Sequence, residues 1–219
     1  MEQIWIPILD SGHSGIVNGE YITRGKRAYY KEGKYIGQSP LMEDEADEWI
    51  YEGVNNRVIR DMVSEILMDE GLTHYYVNDS ENDMPNSKRA EHANEIAALH
   101  PEREFIFISI HSNAGGGTGN EVWTTKGVTK SDKFAEIMCE EIEESFPDMA
   151  LRTDKWSDGD KDKEANFTVI KKTSMPAFLI EFGFMDTYED FLIISSEEGQ
   201  KRMAIAIVEA IKRFQDEIS

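Results

Sequence analysis

Cysteine is almost absent from this chain of 219 residues, with Cys139 as its one thiol. No intrachain disulfide can form, and a metal site built on several thiolates is excluded. Cys139 lies on the apolar side of the helical pattern SDKFAEIMCEEIEESF and reads as a small core residue. Long apolar runs are missing too. No stretch approaches the ~18 apolar residues of a spanning helix. The opening MEQIWIPILD has neither a positive n-region nor a long apolar core, so a soluble chain without an export signal is expected. Basic residues are scarce, 23 against 43 acidic ones, for a formal net charge of −20. That excludes a duplex nucleic-acid partner, which needs a basic footprint. It also excludes electrostatic docking on an anionic membrane. The acidity reads as solubility, with adaptation to salt or to a cationic target as the sharper alternative.

What is present is enough for a core. The chain is 40% hydrophobic and 30% charged, which fits one globular domain over 1–219, with an insertion at about 14–51. Residues 4–9 (IWIPIL) form a buried strand in which Pro7 favours an edge or a bulge. YITRGKRAYYKEGKYIG predicts a hairpin closed around KEGK. From Glu52 to Glu70, Val54, Val58, Met62 and Ile66 recur at helical spacing, and Gly71 ends the run. THYYV is a strand. SKRAEHANEIAAL is a helix capped by Asn86 or Ser87. EFIFISI is the strongest strand signal and runs into His111, and NEVWTT is another strand. Residues 131–146 are helical, 148–166 form a loop, PAFLIEF is a strand and 197–216 a closing helix. Strands alternating with helices predict an α/β fold: a twisted, mostly parallel central sheet with helices on both faces and an inserted hairpin. A monomer is expected.

Of the five histidines, His74, His92 and His100 have ordinary surface explanations. His13 and His111 differ, because each follows an apolar strand and precedes a turn of small residues, ILD-SGH-SG and FISI-H-SNAGGG. In open α/β sheets, ligands bind beyond the carboxyl ends of the strands. A catalytic zinc needs three protein ligands and one open position. The third would be Asp or Glu, and with 43 acidic residues the choice stays open on these grounds.

Five segments in order decide more. ILDSGHSG, EGVNNRVIRDMVSEIL, KRAEHAN, FISIHSNAG and SMPAFLIEFGFMD together resemble the zinc-dependent N-acetylmuramoyl-L-alanine amidases. That family includes bacterial autolysins and phage endolysins. The resemblance spans nearly the whole chain, and implies an amidase catalytic domain acting on peptidoglycan. It implies that His13, Glu52 and His111 bind Zn2+ and that Glu181 acts as general base on the water at the metal. Asn56, Arg89, Ala93 and Asn94 match other family positions. Glu181 also ends the apolar run AFLI, where a charge needs a reason. The chain departs from the family in reading SGHSG for Pro-Gly-His-Gly-Gly, and in a longer interval from His13 to Glu52. Glu20, Glu43, Glu45 and Glu48 also lie in that interval. Glu52 is preferred because it opens the matching helix with Asn56 in register.

Other residues follow. Asp10 is a candidate partner for a metal-bound imidazole, or a turn-stabilising Asp. Asn113, two residues past His111, is expected to face substrate. Residues 21–37 hold five basic residues, one acid and half of the eight tyrosines. Arg24, Tyr29 and Tyr30 are therefore expected to touch a glycan or a stem peptide. Asp158, Asp160, Asp162 and Glu164 alternate like a calcium loop. They lack its glycine at position six and its glutamate at position twelve, so a solvated loop is expected. Two other functions remain open: a zinc peptidase or carboxypeptidase cutting another amide, and an inactive peptidoglycan-binding module. Phage lysin, bacterial remodelling enzyme and toxin-like effector are not separated.

Overall fold

The computed structural model describes residues 3–78, 80–155 and 159–218. The first apolar run becomes β1 (Trp5–Ser11), buried along its whole length. Short antiparallel ladders follow: β2 (Ile16–Val17) with β3 (Glu20–Tyr21), and β4 (Arg27–Lys31) with β5 (Lys34–Gly37). The hairpin turn at Glu32–Gly33 has φ of 49° and 71°, the primed type whose twist matches the flanking strands. After a 3₁₀ turn at Pro40–Glu45, β6 (Glu48–Tyr51) adds a third strand beside β4. Then come α1 (Glu52–Asp69), β7 (Tyr75–Tyr76), α2 (Asn86–Leu99), β8 (Glu104–Asn113) and β9 (Glu121–Thr124). The chain closes with α3 (Ser131–Ser145), β10 (Lys163–Glu164), α4 (Thr168–Lys171), β11 (Ala177–Phe184), α5 (Tyr188–Ile194) and α6 (Glu197–Glu217).

Six strands form the main sheet in the order β10-β9-β11-β8-β1-β7. β7, β1, β8 and β11 run parallel; β9 is antiparallel to β11, and β10 is parallel to β9. Side-chain alternation along the strands divides the core in two. Leu9, Ile106, Ile108, Ile110, Phe178 and Ile180 pack with α1, α3 and α6. Ile6, Ile8, Phe105, Phe107 and Leu179 pack with Ala93 and Ile96 of α2 and Val169 and Ile170 of α4. β8 is buried on both faces, which is why EFIFISI reads as a continuous apolar run. The expected mostly parallel sheet with helices on both faces is therefore present. No helix among the described residues is long and apolar enough to cross a membrane.

Several expectations are corrected. β1 is an interior strand, not an edge. Gly12 N donates to Ile110 O and Leu9 O accepts from Val77 N, so the odd residues of β1 address β7. The N–H that Pro7 lacks thus falls on the side of two-residue β7, and no bond to β8 is lost. The residue before α2 is Pro85, and neither Asn86 nor Ser87 caps it by a side-chain bond. Residues 148–166 carry β10, and Asp162 there is buried and accepts from Thr124 Oγ1 at 2.7 Å. It is not part of a solvated loop. Asp158 lies outside the described residues.

Candidate metal centre

The carboxyl ends of β1, β8 and β11 meet at one edge of the sheet, where α1 begins. Ser11 pairs in register with Ile110, and Glu181 with His111. His13 stands two residues past β1 at φ 67°, a left-handed conformation uncommon for a side chain larger than glycine's. The turn is packed tightly. A Cβ at Gly12 would lie 2.1 Å from the His111 ring, and one at Gly53 would lie 1.9 Å from Ser14 O. Only glycine lets the histidine turn approach both β8 and the start of α1 so closely.

His13, Glu52 and His111 converge. One ligand atom from each lies within 4.8 Å of the others. His111 Nδ1 is 3.2 Å from Glu52 Oε1, and Ser112 N donates to the same oxygen at 3.3 Å. His13 Nε2 stands 3.1 Å from that oxygen, yet this buried nitrogen makes no hydrogen bond of good geometry among the described residues. The two imidazoles lie edge to face with centroids 5.0 Å apart. Glu52 is fully buried, and its other oxygen, Oε2, has Lys26 Nζ at 3.3 Å and no hydrogen bond among the described residues. Burial pushes the Glu52 carboxyl up, but His111 and His13 beside it, with Lys26 nearby, hold it well below its usual range. Burial lowers His13 against the opposing pull of Glu52, favouring the neutral imidazole that binds metals. Two imidazoles, one carboxylate and buried donor atoms without a hydrogen bond among the described residues fit a zinc ion. His74, His92 and His100 are not part of this cluster.

Glu181 sits beside it on β11. Its Oε2 is buried and has no hydrogen-bond partner among the described residues. Burial, and then the charge of Glu52, push its carboxyl well above the usual range, while Lys26 pulls the other way.

Asp10 does not reach an imidazole. It accepts from Arg89 Nη1 at 2.6 Å and from Ser109 Oγ at 2.7 Å. Arg89 also donates to Ser11 O at 2.6 Å and His13 O at 3.0 Å, so the pair braces the histidine turn from α2. Asn56 Nδ2 reaches Gly12 O at 3.3 Å, bracing it from α1. Asn94 bonds Lys172 O and Ser174 N at 2.8 and 2.7 Å, tying α2 to the segment entering β11. The recurrent polar positions around the histidines thus hold backbone in place.

The expected substrate contacts divide. Asn113 is half-buried and donates to Glu121 Oε2 at 2.9 Å. Arg24 is exposed. Tyr29 and Tyr30 are corrected: both are 0% exposed. Tyr30 stacks on Phe191 at 4.5 Å and donates to Met185 O at 2.7 Å, and Tyr29 donates to Glu43 Oε2 at 3.1 Å. Neither has a ring face to offer a sugar. Their neighbours Tyr21, Arg27 and Tyr51 instead line a polar groove of about 390 Å³, and Tyr21 Oη accepts from Gly53 N at 3.1 Å.

One cluster escaped sequence reasoning. Glu121, 2% exposed and in register with Glu181, accepts from Asn113, Trp123, Arg152 and Lys163. Burial raises its carboxyl, but Lys163 and Arg152 outweigh that and hold it below its ordinary value. The signal that marks Glu181, an acid within an apolar strand, is also present in NEVWTT.

The model of the N-acetylmuramoyl-L-alanine amidase family matches residues 8–213. N-acetylmuramoyl-L-alanine amidase CwlM of Bacillus licheniformis is 38% identical over 108 residues, 49% of this chain and 36% of that protein. An uncharacterized cell wall amidase of Bacillus anthracis is 27% identical over 212 residues, 93% of this chain and 34% of the other. The chain thus spans about a third of the length of these two relatives. Among solved structures, an N-acetylmuramoyl-L-alanine amidase from Clostridium difficile 630 superposes with a TM-score of 0.73 at 22% identity, covering 100% of both chains. The amidase Ami1 of Mycobacterium smegmatis gives 0.71 at 22%, covering 98% and 99%. At such identities the likeness speaks for the fold, whereas the family model, matching nearly the whole length, places the chain within the N-acetylmuramoyl-L-alanine amidase family.

Proposed function

We propose that this chain hydrolyses the amide bond between N-acetylmuramic acid and L-alanine in bacterial peptidoglycan, using a zinc ion held by His13, Glu52 and His111. The carrying observation is the convergence of these three side chains within 4.8 Å at the carboxyl edge of the sheet, in a chain of this family. When bound, zinc supplies Lewis acidity, polarising a carbonyl oxygen and making a water more acidic. Glu181 is the proton carrier. Its unpartnered Oε2 accepts a proton from the attacking water and returns it to the leaving amine of L-alanine. Asp10, through Arg89, and Asn56 keep the His13 turn fixed, so the donors stay oriented before substrate arrives. Retention of both histidines, Glu52 and Glu181 favours an enzyme over an inactive binding module.

The test is hydrolysis of purified peptidoglycan followed by mass spectrometry of the products. Lactyl-ether glycans lacking peptide, together with free stem peptides, are expected. Stem peptides shortened elsewhere, with the muramoyl amide intact, would instead identify a peptidase. Chelation should abolish hydrolysis and zinc should restore it. Full activity in a metal-stripped sample would remove the metal from the mechanism.

A further inference from the structure

We propose that Arg152 and Lys163 form a carboxylate-binding subsite beside Glu181, which takes the free carboxylate of an acidic residue following the scissile amide. The inference rests on the amidase reading above and specifies its substrate.

Register places His111, Glu181 and Glu121 side by side on three adjacent strands, so their side chains share one face of the sheet. Glu121 carries the proposed site. Its carboxylate accepts from Arg152 Nε at 2.7 Å, Lys163 Nζ at 2.9 Å, Asn113 Nδ2 at 2.9 Å and Trp123 Nε1 at 3.0 Å. Four donors match the roughly four lone-pair sites of a carboxylate, so Glu121 is saturated. Two cations share this one anion, so the trio of Arg152, Lys163 and Glu121 carries a net positive charge on a chain of net charge −20.

Arg152 is free to bind more. It uses only Nε on Glu121, and among the described residues its terminal amino groups make no hydrogen bond. Its side chain is 42% exposed and its guanidinium lies 5.2 Å from the Phe184 ring. A guanidinium anchored at Nε presents its terminal nitrogens as a fork suited to a second carboxylate. Lys163 is less exposed, held 4.3 Å over the Trp123 ring, and adds charge to the same spot. The span is also suitable. Adjacent strands are about 4.8 Å apart, and two extended residues cover about 7 Å. A peptide with its scissile carbonyl at Glu181, running toward β9, brings the carboxylate of its second residue to Arg152. In peptidoglycan stems that residue presents a carboxylate as isoglutamate and a neutral amide as isoglutamine.

The experiment compares two muramoyl tripeptides, L-Ala-D-isoglutamate-L-Lys and L-Ala-D-isoglutamine-L-Lys, which differ only in the α-carboxylate of the second residue because its γ-carboxyl is in amide linkage to lysine, with the zinc-loaded chain. The wild type should prefer the acid by about 10-fold in kcat/KM, as for loss of one charged hydrogen bond. Arg152→Met and Lys163→Met should bring that ratio toward one, mainly through KM on the acid. Arg152→Lys should fall between, since it keeps the charge and loses the fork. Zinc content and melting temperature show whether each variant is folded, and should Arg152→Met not fold, the other two give the same ratio. Equal wild-type efficiency on both substrates would overturn the subsite while leaving the amidase reading intact, as would variants that lose both activities in constant ratio. Hydrolysis of neither substrate would overturn the amidase reading and the subsite with it.

Discussion

Glu181 and Glu52 are both buried acids at the same sheet edge, and burial alone would raise both carboxyls. Their environments separate them: Glu52 gains His111 and His13 and is held low, whereas Glu181 gains the repulsion of Glu52 and is pushed up. On the proposed reading, this division suits Glu52 to holding the metal and Glu181 to carrying the proton. Glu181→Gln should therefore keep zinc and lose about 10²–10⁴ in kcat, while His13→Ala and His111→Ala should lose the metal itself. Zinc content by atomic absorption, measured beside activity, separates the cases, and a glutamine variant as poor in zinc as the histidine variants would make Glu181 a ligand. His13, His111 and Glu181 were legible because each follows an apolar strand run, whereas Glu52 was chosen only through the family resemblance. The partner of Asp10 was not legible. Arg89 lies 79 positions away, and strand patterns do not say which helix crosses which turn.

At the scale of elements, the β4–β5 hairpin shows what local pattern reveals and what it leaves out. KEGK marked the turn, and the turn is there. The adjacent tyrosines Tyr29 and Tyr30 point to opposite faces, and both were expected to touch substrate. Both are covered, because β6 and the 3₁₀ turn close one face with Tyr51 and Glu43, and α5 closes the other with Tyr188 and Phe191. Neither β6 nor α5 has a periodic signal of its own: four residues after an acidic patch, and seven just after β11, are too short. The hairpin is consequently part of the core cluster, and replacing it whole would test folding more than substrate contact. Tyr30→Ala should destabilise the chain by about 3–5 kcal/mol, as for truncation of a buried aromatic ring. Urea denaturation measures this, and a loss below about 1 kcal/mol would mean that the hairpin lifts off the domain in solution.

For the whole molecule, the excess of acid cannot be paired away. With 43 acidic and 23 basic residues, a formal surplus of 20 negative charges remains even if every basic residue forms an ion pair, so the folded chain repels itself. Networks such as Arg213 with Glu140, Glu141 and Glu217, or Lys161 with Glu136, Glu140 and Glu143, concentrate the available cations at the surface. Lys26, Arg152 and Lys163 are instead committed to buried acids around the candidate centre. Salt should therefore act with opposite signs on stability and on substrate binding. The screening length falls from about 30 Å at 0.01 M to about 3 Å at 1 M, so self-repulsion across the molecule fades and the melting temperature should rise. Over the same range, attraction between the site cations and an acidic stem peptide should weaken, raising KM for that substrate while leaving an amidated one nearly constant. Thermal melts and initial rates in one sodium chloride series measure both effects. A melting temperature that falls with salt would mean that the surface ion pairs outweigh the surplus charge, and a KM indifferent to salt would mean that the site cations are fully spent on Glu52 and Glu121.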